Sequence, residues 1–247
     1  MPNWCENRLE VSGDANELKK FLEIGIKEEP MSYSKTGEKE LVWRMSRYLP
    51  TPEPLTRSVS PSGDREWMNE WEVNHAKKRA EEDPSVVIPE LIKCSNGTKE
   101  DREALVKEFG HDNWYDWNLM NWGTKWDCDS SECGYDVHEG IHFVVNFNSA
   151  WSPPLGWMNN IIKLFPDLNF KLVFMETGNW FAGCVYNNEG ELEMVEGEPE
   201  YVQDGVSFTY DNDNSQYVGE DGTIIPEDEF DNTFPENPFE YYDAPWE

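Results

Sequence analysis

Ile141-His-Phe-Val-Val-Asn-Phe-Asn-Ser-Ala150-Trp-Ser-Pro-Pro-Leu155 decides how the chain is read. Ile141, Phe143, Val145 and Phe147 alternate with His142, Val144, Asn146 and Asn148, the period-2 pattern of a half-buried strand. Ser152 offers an N-cap oxygen, and Pro153 and Pro154 suit a first helical turn, where a missing N–H costs nothing. Leu155, Met158, Ile162 and Phe165 recur at helical spacing until Pro166 stops the helix. A strand that turns directly into an amphipathic helix is a packing unit, and its partners lie on both sides in sequence.

Upstream, Trp4 to Val11 reads as a strand with Cys5, Asn7, Leu9 and Val11 on one face, ended by Gly13. Asp14 and Glu17 form a capping-box pattern, and Leu18, Phe21 and Leu22 give a short helix its apolar stripe as far as Gly25. Downstream, Phe170, Leu172 and Phe174 predict another strand, and Trp180–Tyr186 with Glu191–Val195 a further hairpin. Trp122, Thr124 and Trp126 alternate with Gly123, Lys125 and Asp127. That pattern predicts a strand, with 128–140 as the hairpin loop before 141–149. The resulting order is strand, helix, strand, strand, helix, strand. It is the split βαβ order of a ferredoxin-like sandwich, an α+β fold with an antiparallel sheet and two helices on one face.

The core is therefore assigned to residues 1–26 and 111–195. Residues 27–110 lose periodicity around Pro30, Pro50, Pro52, Pro54 and Pro61, then turn helical over Asp64–Glu82 and from Thr98 to Phe109. They read as a mostly helical insertion. Residues 196–247 form an acidic, aromatic-containing C-terminal extension, with β-strands expected around Val206–Tyr210 and Tyr217–Ile225.

Charge is the most unusual total: 50 acidic against 20 basic residues, a formal −30. From Leu172 to Glu247 there are 20 acidic residues and no Lys or Arg, so about two-thirds of the net charge sits there. Such a surface repels nucleic acid and anionic lipid and attracts basic surfaces. No run approaches the roughly 20 apolar residues needed to span a bilayer. The N-terminus has no basic region followed by an apolar stretch, and the five cysteines are scattered and odd in number. A cytoplasmic location with reduced thiols is the expectation.

Met1-Pro-Asn-Trp-Cys-Glu-Asn-Arg-Leu-Glu-Val11, Tyr115-Asp-Trp-Asn-Leu-Met-Asn-Trp-Gly-Thr-Lys-Trp-Asp127 and Ala150-Trp-Ser-Pro-Pro154 resemble the YubB-like family of phage and plasmid proteins. The stretch Tyr48-Leu-Pro-Thr-Pro-Glu-Pro54 is also similar to a part of that family. The resemblance covers roughly residues 1–25 and 114–186. It implies a ferredoxin-like domain and a mobile-element origin, and it carries no catalytic residues.

Candidate chemistry is sparse. Cys128, Cys133, His138 and His142 are ligand types for zinc, but Cys–x4–His leaves too short a connection between pairs for an ordinary finger. A loop with free thiols and an outward strand histidine is the plainer reading, and no cofactor is expected. No Walker loop, Gly-x-Gly-x-x-Gly, His-Glu-x-x-His or Gly-x-Ser-x-Gly occurs, so no enzyme is announced. Asn3, Trp4, Asn121, Trp122, Lys125, Trp126 and Trp151 would converge at adjacent strand ends, as core packing or as a ligand face. A stacking platform for nucleic acid or nucleotide is the alternative that those tryptophans offer.

The acidic end carries the leading expectation: a non-enzymatic binding protein that occupies a basic site on a host protein, as a counter-defence inhibitor or DNA mimic. Asp211, Asp213, Glu220, Asp221, Glu227, Asp228, Glu229 and Asp231 would supply the phosphate-like field. Phe234, Tyr241, Tyr242 and Trp246 would supply anchors.

Overall fold

The structure, a computed structural model, describes residues 3–30, 38–128, 134–138, 141–231, 235–240 and 242–244. Strand β1 (Trp4–Gly13) leads into α1 (Ala15–Gly25) and the hairpin β2 (Ile26–Pro30)–β3 (Lys39–Trp43). Four helices follow: α2 (Glu53–Thr56), α3 (Glu70–Ala80), α4 (Lys99–Phe109) and α5 (Trp114–Trp122). Next come β4 (Gly134–His138), β5 (His142–Ala150), α6 (Leu155–Leu164) and β6 (Leu168–Glu176). The hairpin β7 (Phe181–Asn188)–β8 (Glu191–Gly197) precedes four short strands: β9 (Tyr201–Gln203), β10 (Val206–Asp211), β11 (Gln216–Gly219) and β12 (Ile224–Pro226). Two compact units result, Met1–Tyr48 with Trp126–Glu247, and Leu49–Lys125.

In the first unit the main sheet runs β4-β5-β1-β6-β7-β8, antiparallel at every pairing. Its first four strands, with α1 and α6 as crossovers, have the split βαβ order expected from the sequence. The central strand β1 sets Leu9 opposite Val145 and Leu172, and Val11 opposite Phe143 and Phe170. Register matters here, because a one-residue slip would turn this apolar set to the other face. Phe21 of α1 packs edge-on against Phe143, Phe165 and Phe170, which places α1 and the end of α6 on one sheet face. Trp43, at the end of β3, fills the remaining space between Phe147 and Trp157.

Local signals are kept in part. Asp14 caps α1 by accepting from the Asn16 and Glu17 N–H groups, but Glu17 turns to Lys20 instead of closing a capping box. Ser152 does not cap α6. The cap position is Pro154 with no side-chain bond, and the Ser152 carbonyl instead accepts from the Ser149 hydroxyl at 2.7 Å. Gly25, the last residue of α1, leaves room for Tyr48, because a Cβ there would lie 1.8 Å from the Tyr48 hydroxyl.

The strand read at 122–127 is not formed. Trp114–Trp122 is the helix α5, capped by Asn113 accepting from the Asp116 N–H and ended by Gly123 at φ 85°. Those two signals outweigh an alternation only three residues deep. The second strand of the split βαβ unit is β4, inside the segment read as loop. In the second unit, buried asparagines organise the connections. Asn96 bonds the Val59 N–H and carbonyl, and Asn69 bonds Ile92 N–H and Glu90 carbonyl. Helix α3 starts at Glu70 and not at Asp64, and its N-cap Asn69 gives its side chain to that connection and not to the helix.

The residues after β8 do two jobs. Strands β12-β11-β10-β9 form a second sheet around buried Phe208, Tyr217 and Phe230, with Tyr217 and Phe230 stacked at 3.9 Å. Farther on, Phe239, Tyr242 and Ala244 pack on Val173, Cys184 and Tyr186, on the main-sheet face opposite α1 and α6. Asn237 anchors this segment by donating to the Phe174 carbonyl at 2.9 Å.

Candidate functional site

At β1 the main-sheet face away from the helices is polar and ends in tryptophans. Along β1 the outward residues are Trp4, Glu6, Arg8 and Glu10, in alternation with the buried set. The Trp4 and Trp126 rings lie 6.2 Å apart at 41°. Trp4 pairs with Ala150 across the sheet, and the next residue, Trp151, donates its backbone N–H to the Asn3 carbonyl at 2.9 Å. Trp4, Trp126 and Trp151 are 39, 41 and 46% exposed, so this end of the sheet shows half of each indole to solvent. Trp151 adopts φ 73°, a left-handed conformation rare for a bulky residue.

Of the residues read as one ligand face, Asn3, Trp4, Trp126 and Trp151 are brought to this end of the first unit. Asn121, Trp122 and Lys125 belong to the second unit, in α5 and the turn after it. Trp122 is buried and donates its indole N–H to the Leu49 carbonyl at 2.9 Å. Asn121 donates to the Trp117 carbonyl, and the Lys125 carbonyl accepts from Asn118, both at 2.9 Å.

Beneath the tryptophans lies a buried polar cluster. Asn7 donates to the Cys5 carbonyl at 2.7 Å, the Ser149 hydroxyl at 2.8 Å and the Phe147 carbonyl at 3.3 Å. Ser149 then holds the Ser152 carbonyl, so the Asn7 side chain fixes the junction between β5 and α6. The Glu176 carboxylate accepts from the Gly178 and Asn179 N–H groups and the Asn179 side chain. Burial, aided by the nearby Glu176 charge, pushes the Cys5 thiol up to about 12. A thiol so held stays neutral near pH 7, the opposite of an activated nucleophile.

A cavity of about 580 Å3 lies on the outward face, with Glu6, Arg8, Asn146, Asn148, Met175 and Glu240 in its walls. Beyond it, Glu10 meets two cations, Arg8 at 2.7 Å and buried Lys171 at 3.8 Å, and the His142 imidazole at 3.8 Å.

Of the zinc-type residues, the described three, Cys128, His138 and His142, do not form a three-ligand group. The Cys128 thiol is buried and donates to the Trp43 carbonyl at 3.5 Å. His138 and His142 face each other across the β4–β5 pairing, ring centroids 5.8 Å apart, with Asp136 and Glu10 as their respective acidic neighbours. Cys133 lies outside the described residues. Among the described residues no group of three or more His, Cys, Asp or Glu is placed to hold a metal ion.

Around the small sheet, Asp213, Glu220, Asp221, Glu227, Asp228, Glu229 and Asp231 are exposed in its turns and in the segment after β12, and Asp211, the last residue of β10, is half-buried. The Asn214 amide, with Gln216 and the Asp213 N–H, holds the Asp211 carboxyl below its ordinary range. The Thr223 N–H does the same for Asp221. Glu227 accepts from the Tyr210 hydroxyl at 2.7 Å. Tyr242 stacks on Tyr186 and is engaged within the unit, while Phe234, Tyr241 and Trp246 lie outside the described residues. Sequence reading missed Trp180, Glu198 and Glu200, which border this sheet. The signal available for them was the hairpin after residue 176 followed by the closely spaced Glu191, Glu193, Glu196, Glu198 and Glu200.

The main sheet and its two crossover helices form a ferredoxin-like domain. Residues 121–218 match the model of a family described as the ferredoxin-like domain in Api92-like protein. The fold expected from the YubB-like resemblance is thus found under the Api92-like description. Among solved structures, the chain is similar to protein api92 from Yersinia pseudotuberculosis at 14% identity, TM-score 0.40, covering 82% of this chain and 100% of that one. No curated protein matches. No helix among the described residues is long and apolar enough to cross a membrane.

Proposed function

We propose that the protein is an acidic binding protein that engages a protein with a basic surface through its small C-terminal sheet. One observation carries this reading: the sheet's own aromatics, Phe208, Tyr217 and Phe230, are buried together, which leaves its carboxylates outermost on ordered backbone. No lysine or arginine follows Lys171 in the sequence to offset them. Charges fixed on a sheet form a standing field that steers a cationic partner, without the ordering cost of a disordered tail. With the mobile-element origin that the YubB-like resemblance implies, the partner would be a host nuclease, repressor or defence protein whose nucleic-acid site the sheet occupies.

Affinity capture from a host lysate followed by salt titration tests this. The captured complex should weaken steeply from low to high salt, and Asp228→Asn with Glu229→Gln should weaken it further. A complex indifferent to salt and to both substitutions overturns the proposal.

A second reading draws on the half-exposed Trp4, Trp126 and Trp151, which offer π-faces at one sheet end for a base to stack on. Quenching of their fluorescence by short oligonucleotides at low salt would support it, and unchanged fluorescence would reject it.

A further inference from the structure

A second cavity, of about 480 Å3, opens on the small acidic sheet, and its walls add a chemistry that the outlying carboxylates lack. Trp180, Tyr201 and Tyr210 form aromatic sides, and Glu198, Glu200 and Glu220 contribute carboxylates. No lysine or arginine is among its lining residues. The Trp180 and Tyr201 rings lie 5.4 Å apart at 35°, with Trp180 held at φ 58°. Glu200 is fixed twice. Its backbone exchanges hydrogen bonds with Glu236 at 2.9 and 2.6 Å, and one carboxylate oxygen accepts from the Ser207 hydroxyl at 2.8 Å. The Glu220 N–H in turn donates to the Ser207 carbonyl at 3.0 Å, which holds that wall against β10.

We propose that this cavity receives an arginine side chain of the partner. The inference rests on the reading that the acidic sheet binds a basic protein, and narrows it to one side chain at one place. An anion is repelled by three carboxylates, and a neutral aromatic would desolvate them without returning a donor. A guanidinium satisfies both kinds of wall. Its planar, weakly hydrated face lies on indole or phenol, while its edge forks to a carboxylate. A lysine ammonium is compact and strongly hydrated, so it gains charge pairing but little from the rings. The volume falls in the lower part of the roughly 300–1,000 Å3 range of small-ligand sites, room for one long side chain with flanking peptide atoms.

The test uses the full chain and the peptide acetyl-Gly-Arg-Gly-amide, with lysine and citrulline counterparts, at low salt. The Trp180 indole N–H resonance is followed by NMR. The arginine peptide should shift that resonance and saturate it. The lysine peptide should bind about fivefold more weakly and the citrulline peptide, isosteric but uncharged, about tenfold or more weakly. Equal binding of the three, or no shift with arginine, overturns the proposal on wild-type protein alone. Trp180→Gly suits the left-handed backbone while removing the ring, and should reduce arginine-peptide binding about tenfold, as should Glu200→Gln.

Asp228→Asn and Glu229→Gln, outside the cavity lining, test the captured complex and not the cavity. If the peptide binds as expected while the captured complex ignores salt and those two substitutions, the broader reading fails and the cavity stands. If the complex is salt-sensitive and the peptide leaves Trp180 unmoved, only the cavity assignment fails.

Discussion

Trp43 donates its indole N–H to the Tyr48 hydroxyl at 3.0 Å, and that hydroxyl passes the bond on to the Phe21 carbonyl at 2.9 Å. One oxygen thereby ties β3 to the end of α1. The Tyr48 ring also stacks on Phe21 at 4.5 Å, and burial raises its hydroxyl well above the ordinary tyrosine value. Tyr48→Phe strands a buried indole donor and a buried carbonyl at once. It should cost about 2 kcal/mol, read as a lower urea midpoint with an unchanged slope.

Glu29 sits between two arginines, accepting from Arg44 at 2.8 and 2.6 Å and from Arg47. The Arg44 bonds chiefly hold its carboxyl below the ordinary value of 4.5. A carboxyl lowered by folding stabilises the fold above its unfolded value and loses that contribution as pH falls through the lowered one. Glu29→Gln should therefore be less stable than wild type at pH 7. The gap should narrow as denaturation is repeated at successively lower pH below 4.5; a gap constant with pH would contradict the assignment.

For Cys5 the sign runs the other way. Its thiol is raised from 9.0 to about 12, so the folded state keeps a proton that the unfolded chain releases. Stability is fully present below pH 9 and declines as pH rises toward 12. Cys5→Ala should lose less stability than wild type over that interval. Native protein at pH 8 should leave Cys5 unmodified by iodoacetamide, as located by mass spectrometry, while unfolded protein should react there.

Glu10 is the carboxylate facing Lys171, whose side chain is only 4% exposed. Glu10→Gln keeps the size but removes the charge opposite a buried ammonium, at a cost of about 3 kcal/mol. Thermal unfolding should show it at pH 7. Glu6→Gln, four residues earlier on the same outward face but exposed, should shift the midpoint little.

Much of the main sheet was readable because both of its sides leave period-2 signatures. Leu9, Val11, Phe143, Val145, Phe170 and Leu172 alternate cleanly, and each falls opposite another in the register. The misread came at Trp122-Gly-Thr-Lys-Trp126. There an apparent alternation began at the last residue of a helix whose cap, Asn113, and stop, Gly123, were equally visible, and the residues after it only bend. Tryptophan's preference for strands is weak and context-dependent, so its spacing misleads when the end signals are ignored. The acidic residues were legible as charge. What composition could not convey is that Phe208, Tyr217 and Phe230 turn toward one another, and that Trp180 comes back to Tyr201 from the preceding hairpin. Those pairings depend on β-registers set between strands.

The patch in which Phe239, Tyr242 and Ala244 cover Val173, Cys184 and Tyr186 bears on the sequence of folding events. The strands of the main sheet are joined by ladders of backbone hydrogen bonds, whereas this patch is held to β6 and β7 by side-chain packing and the Asn237 bond to the Phe174 carbonyl. A contact without a backbone ladder is early to open. The first opening under mild denaturant should then bare one face of β6 and β7 while α1 and α6 still hold the other. Amide exchange would register this as protection lost at Phe239 and Tyr242 before Leu9 and Leu172. Shortening the acidic end to strip its charge would bare the same apolar surface, so charge and fold at that end separate only by substitution, residue by residue.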